Sequence, residues 1–232
     1  MFYFDPTMIF LVPAILLSLW AQGMVTSTFQ KYKRVRSFNG LTGADVARSL
    51  LDAAGLFDVR IEQVPGSLSD HYDPRTRVLR LSGDVYGNTS VASIGVAAHE
   101  VGHAIQHNEK YAPLLFRNAI VPVANFGNYF SWILILIGIF FSMTNLIYLG
   151  IIFFLGVVIF QLVTLPVEFD ASKRAITLLD TRGILIGDEV NGARKVLKAA
   201  AMTYVAAAAT AIMQLVRLLY IANRSDDWGK NE

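Results

Sequence analysis

The sequence predicts a mostly α membrane protein, with three to four transmembrane helices and a small α+β cytoplasmic region, and three observations carry that prediction. Hydrophobic residues make up 54% of the 232 residues and the mean hydropathy is +0.46, above the range of soluble domains. Apolar runs recur at residues 8–25, 119–143, 146–165 and 199–221, each close to the roughly 20 residues that cross a bilayer as a helix. Between the first and second runs lies a more polar stretch that mixes helical and alternating patterns, as a small α+β unit does. These features divide the chain into a first transmembrane segment (1–30), a cytoplasmic region (31–117), a transmembrane hairpin (118–165) and a C-terminal part (166–232).

Residues 8–25 can span a bilayer, although Pro13 and Gln22 make the span imperfect. A cleaved signal peptide would carry its positive charge before the apolar run. Here Asp5 precedes the run, and Lys31, Lys33, Arg34 and Arg36 follow it. By the positive-inside rule the N-terminus lies outside and residue 31 onward lies in the cytoplasm.

Residues 42–54 have helical spacing, with Val46, Leu50, Leu51 and Ala54 along one side, a capping-box-like start at Thr42 and Asp45, and Gly55 as terminator. Residues 58–64 and 77–82 alternate as strands do. The polar stretch between them contains Pro65, Gly66 and the turn sequence Asp73-Pro74-Arg75-Thr76. The next helix is capped by Thr89 or Ser90 and runs to about residue 108, with Gly95 and Gly102 leaving room for another backbone.

Residues 119–143 and 146–165, joined by Thr144-Asn145, form a membrane hairpin in which Asn125, Asn128 and Gln161 are expected to hydrogen-bond between helices. After Pro166 a helical segment bearing Lys173 and Arg174 returns to the cytoplasmic side. A final helix opens near Asp188. Its apolar stretch contains Gln214 and Arg217, and residues 225–232 read as a free polar tail.

The chemistry concentrates in VAAHEVGHAIQH, residues 96–107. His99, Glu100 and His103 form H-E-x-x-H, which on a helix sets two imidazoles on one face, about 6 Å apart along the axis, beside a carboxylate. The chain has four histidines, so the clustering does not come from composition. Without cysteine, a metal must be held by nitrogen and oxygen. The net charge of +2 with 16% charged residues offers no basic stripe for nucleic acid.

A catalytic zinc site takes three protein ligands and leaves a position for water. His107 fails as the third, because eight helical residues place it about 12 Å from His99. His71 is possible but lies in the turn region before the second strand. Two spans after the motif bring the chain back to the same side, which puts Glu168 within reach. Asp170 is its rival, pointing roughly the opposite way on a helix. Glu168 could instead be a membrane-edge carboxylate paired with Lys173 or Arg174.

HEVGHAIQH, SDHYDPRTRVLRLS and LPVEFDASKRA resemble the YugP-type neutral zinc metallopeptidases of bacterial membranes, over nearly the whole chain. They are more distantly similar to the HtpX-like and CAAX prenyl proteases. The resemblance implies a zincin-like region of the gluzincin kind, with zinc as cofactor, Glu168 as third ligand and a multi-pass protein of the bacterial inner membrane with its site facing the cytoplasm. In those relatives an Asp commonly follows the third-ligand Glu by four positions and supports a zinc histidine; here that position is Ser172. Ser172, Asp170 or water are the candidates for that support.

The resulting expectation is zinc-assisted hydrolysis of peptides or membrane proteins, with Glu100 as general base. An extended substrate would pair with an exposed strand edge such as residues 77–82. His71, Tyr72, Arg174 and Tyr204 have the chemistry to contact the transition state, with His71 foremost. A zinc-binding scaffold without hydrolysis is the alternative. A metal-ion transporter fits less well, because the ligands lie outside the apolar runs.

Overall fold

The computed structural model describes residues 6–229, with side chains to residue 224. Asp5 and residues 230–232, which entered the orientation and tail readings, lie outside the described residues. A 3-10 helix at Pro6–Leu11 leads into α1 (Val12–Lys33), with Pro13 in the first turn of α1, where proline is tolerated. Next come α2 (Gly43–Ala53), β1 (Arg60–Val64), β2 (His71–Asp73), β3 (Val78–Ser82), a short α3 (Gly83–Tyr86) and α4 (Val91–Asn108). The chain closes with α5 (Ala112–Phe140), α6 (Thr144–Thr181) and α7 (Asp188–Gly229). It is a mostly α membrane protein with a small mixed sheet, and among the described residues four helices are long and apolar enough to cross a membrane: Pro6–Lys33, Ala112–Phe140, Thr144–Thr181 and Asp188–Arg224.

Two compact units emerge, and the four long helices are divided between them. One comprises residues 21–115 and 166–202. Its core packs Val46, Leu50 and Leu51 of α2 with Leu79 and Leu81 of β3, Ile94 and Val101 of α4, and Leu179 of α6. The capping box opens α2: Thr42 Oγ1 accepts from Asp45 N–H and Asp45 Oδ2 accepts from Thr42 N–H, at 3.1 and 3.0 Å.

The sheet has the order β1-β3-β2, with β1 parallel and β2 antiparallel to β3. Residues 77–82 therefore do not offer a free edge. β3 is the central strand, buried at Val78, Leu79, Leu81 and Ser82, and paired on both sides. β1 and β2 are the edge strands, and β2 is three residues that carry no alternating pattern of their own. The turn after it creates the pairing: the Asp73 carboxylate accepts from Arg75 N–H and Thr76 O–H at 2.9 and 2.7 Å. Arg77 takes a φ of 53°, which folds His71–Asp73 back against Val78–Arg80.

Ser90 caps α4, its Oγ accepting from Ser93 N–H. Both glycines of this helix serve close approach. A Cβ at Gly95 would lie 3.3 Å from the Ala193 methyl of α7, and one at Gly102 would lie 2.7 Å from the Ala171 carbonyl oxygen of α6. Gly102 thus lets α6 run against the turn of α4 that carries His99 and His103. Pro166 does not break α6, which continues unbroken to Thr181. A proline within a long apolar helix is accommodated by its neighbours.

The other unit comprises residues up to 20, 116–165 and from 203. Ile135, Ile147, Phe154 and Leu218 form its packed centre. Small residues bring α5 and α6 together: a Cβ on Gly127 would meet the Phe153 carbonyl oxygen at 2.7 Å, and one on Gly150 the Ser131 oxygen at 2.9 Å. Asn125 and Asn128 are exposed, so the polar contacts of this unit fall elsewhere: Ser18 Oγ lies 3.3 Å from Thr210 Oγ1, and Arg217 Nε–H donates to Thr7 Oγ1. Helix α7 runs on through Ser225–Gly229, part of the stretch read as a free tail.

Candidate metal centre

His99 and His103 stand one turn apart on α4 with their rings 86° to each other, and Glu168 reaches them from α6. The two Nε2 atoms are 3.2 Å apart, and Glu168 Oε2 lies 3.3 Å from one and 3.5 Å from the other. Three corners of a tetrahedron whose centre is 2.0–2.1 Å away are spaced by about 3.3–3.4 Å, so the triangle fits zinc bound by two imidazoles and a carboxylate. His99 and His103 are 14% and 13% exposed, and Glu168 is 3% exposed.

The hydrogen bonds behind the imidazoles point their lone pairs the same way. Gln106 is fully buried, and its Nε2 donates to the Val167 carbonyl at 2.9 Å and to Asp170 Oδ2 at 2.8 Å. With both amide protons committed, Gln106 Oε1 is an acceptor, so it takes the proton of His103 Nδ1 at 3.0 Å. In the neutral ring His103 Nε2 is then the nitrogen without a proton. On His99, Ser172 Oγ lies 3.1 Å from Nδ1 and can accept in the same manner. Ser172 thus occupies the place that sequence reasoning assigned jointly to Ser172, Asp170 or water. Asp170 supports His103 through Gln106, not directly.

Arg174 completes this outer network. It forms ion pairs with Asp170 of its own helix and with Glu109, and its guanidinium lies 5.7 Å from the Tyr111 ring centre. Neither it nor Asp170 belongs to the metal triangle. Glu100 is 8% exposed and also outside the triangle, and its charge acts on His103 and on Asp70. Burial opposes charging of the His103 imidazole, but the Glu168 hydrogen bond and the Glu100 charge outweigh it and hold the group above its ordinary value. The Glu168 carboxylate against two imidazoles, with the charge of Glu100 acting on one of them, makes a site disposed towards a cation.

Asp70 anchors the edge strand beside Glu100. Its Oδ1 accepts from Ser82 N–H at 2.8 Å, and its burial, partly offset by the Ser82 hydrogen bonds and reinforced by the Glu100 charge, raises its pKa. His71 follows on β2. It is exposed and separate from the triangle, with Nδ1 2.8 Å from the Ser69 carbonyl. That contact places a proton on Nδ1, so Nε2 can donate only when the ring is charged. His107 packs on Tyr72, whose hydroxyl is 3.0 Å from its Nδ1, and ties the end of α4 to β2. Burial, aided by Arg77, lowers the His107 pKa.

Gln106 escaped the sequence reading, although a polar residue three positions after a candidate ligand histidine shares its helix face and was a usable signal. Replacing Gln106 with Met should weaken zinc binding by about 10–100-fold, the usual cost of losing such a support. Competition against a chromophoric chelator, with helix content checked by circular dichroism, measures it; unchanged affinity would show that Gln106 does not set the imidazole.

Comparison with known proteins agrees with the geometry. Residues 7–223 match the model of a family described as "Putative neutral zinc metallopeptidase". The chain is 51% identical over 210 residues to "Putative membrane protease YugP" of Bacillus subtilis (strain 168), covering 90% of this chain and 93% of that protein. No solved structure matches it. By the family match across almost its entire length, the chain belongs to the neutral zinc metallopeptidase family and has zinc as its cofactor.

Proposed function

We propose that this protein is a multi-pass zinc endopeptidase of the bacterial inner membrane that hydrolyses peptide bonds in peptides or membrane proteins at a cytoplasm-facing site. The observation that carries the reading is the triangle of His99, His103 and Glu168 with Glu100 beside it and outside it. A closed structural site has no need of a neighbouring base.

Bound there, zinc would supply Lewis acidity towards a water and a scissile carbonyl. His99, His103 and Glu168 would hold the ion, and Ser172 and Gln106 orient the two imidazoles for it. Glu100 takes a proton from the attacking water on its carboxylate and delivers it to the leaving amide nitrogen. β3 is paired on both sides, so of the two sheet edges, β1 and β2, the one that carries His71 pairs with an extended substrate through backbone hydrogen bonds. A charged His71 on that edge can donate from Nε2 to the developing oxyanion. Arg174, a rival for this role, is committed to Asp170 and Glu109.

The direct test is cleavage of an unfolded protein by the purified full chain. Activity should disappear on removal of zinc with a chelator and return with one equivalent of zinc. A zinc-loaded, folded protein that cleaves neither unfolded protein nor a peptide library would favour the scaffold reading.

A further inference from the structure

We infer that the groove between α6 and α7 binds the headgroup of an anionic phospholipid. The groove has a volume of about 440 Å³ and lies wholly within the unit that carries the sheet. Its floor is apolar, with Phe169 from α6 and Leu197 and Met202 from α7, and its rim carries Lys173, Arg194 and Lys198. No acidic residue lines it. The three cations are exposed, and none forms an ion pair with a carboxylate among the described residues. The next residue, Arg174, does not line the groove and is paired twice.

A soluble anion would use the cations and leave the floor wet. A phospholipid uses both, its phosphate against the ammonium and guanidinium groups and its glycerol and upper acyl chain against Phe169, Leu197 and Met202. Position along the helices favours the lipid. Phe169 follows the apolar run 146–165 by one turn of the same helix, and Met202 stands at the start of the apolar part of α7, so both walls of the groove sit at the depth of headgroups. The cavity beside Tyr32 and Val35 shares Arg194 and Lys198 but also holds Asp188 and Glu189, and lacks that one-signed rim. Ser172, the partner of His99, lines the lipid groove as well, so a bound headgroup packs against the turn that supports the metal triangle.

The test uses the full chain in neutral detergent, with bound lipid counted by native mass spectrometry. Phosphatidylglycerol should bind about tenfold or more tightly than phosphatidylcholine, as three cations near one phosphate allow. The K173Q/R194Q/K198Q variant should lose that preference, and Arg182→Gln, an exposed cation outside the groove, should keep it. Thr177→Trp fills the groove without changing charge and should also lower phosphatidylglycerol binding, which keeps the test decisive if the triple variant does not fold. Equal binding of the two lipids, a preference that survives the triple variant, equal loss in Arg182→Gln, or full competition by inorganic phosphate would each overturn the inference. None of these readouts depends on hydrolysis.

Discussion

Replacing Glu100 with Gln is expected to lower peptide hydrolysis by about 10²–10⁴-fold, the range of general-base catalysis, while zinc content stays unchanged. The two halves of that result come from one geometric fact. Glu100 stands next to His99 in sequence, yet its carboxylate is absent from the cluster that His99, His103 and Glu168 form. An isosteric amide therefore removes no ligand. It removes an acceptor whose basicity the chemistry needs and preserves its size, so the fold of α4 is undisturbed. Zinc measured by elemental analysis alongside steady-state cleavage separates the possibilities: equal activity in the two proteins would remove Glu100 from the mechanism. Loss of both zinc and activity would mean that its charge holds the ion in place.

The legibility of this site followed the length scale of its interactions. His99 and His103 are bound by helical geometry alone, and four residues in one element settle their relation whatever the rest of the chain does. Glu168 lies 65 positions beyond His103, and its approach was legible because whole apolar runs could be counted between them. Gly95 and Gly102 were legible too, since a missing Cβ in a packed helix signals another backbone, here Ala193 and Ala171.

What sequence alone did not reveal depends on contacts that no local pattern encodes. β2 is three residues long, and it is a strand only because the Asp73 turn lays it on β3. With β1 on its other side, β3 keeps no free edge, which reversed the expectation for residues 77–82. Pro166 reads locally as a helix stop, but α6 passes through it because packing, not propensity, decides so long a helix. Gln106 looks like an ordinary polar residue until α6 supplies the Val167 carbonyl and the Asp170 carboxylate that fix its amide. Ser172 was foreseeable as a place, one turn after Glu168 on the same face, though its role depends on the 3.1 Å contact with His99.

Glu168→Ala should abolish zinc retention through purification, a loss beyond the about 10–100-fold that removal of an outer support costs, and with it all hydrolysis. Asp170→Ala is the necessary comparison. Asp170 lies two residues away with the same chemistry, but its carboxylate is turned to Gln106 and Arg174. Removing it releases the Gln106 amide and so loosens His103, which predicts a zinc affinity lowered by about 10–100-fold with the metal still recoverable at saturating concentration. Glu168→Ala cannot be rescued in that way, because two imidazoles alone leave the triangle without its third corner. Titration of both apo-proteins with zinc against a chelator of known affinity separates the cases. If Asp170→Ala were the protein that fails to rebind zinc and Glu168→Ala rebound it, the third ligand would be Asp170, and α6 would have to rotate from the orientation in which Gly102 meets Ala171.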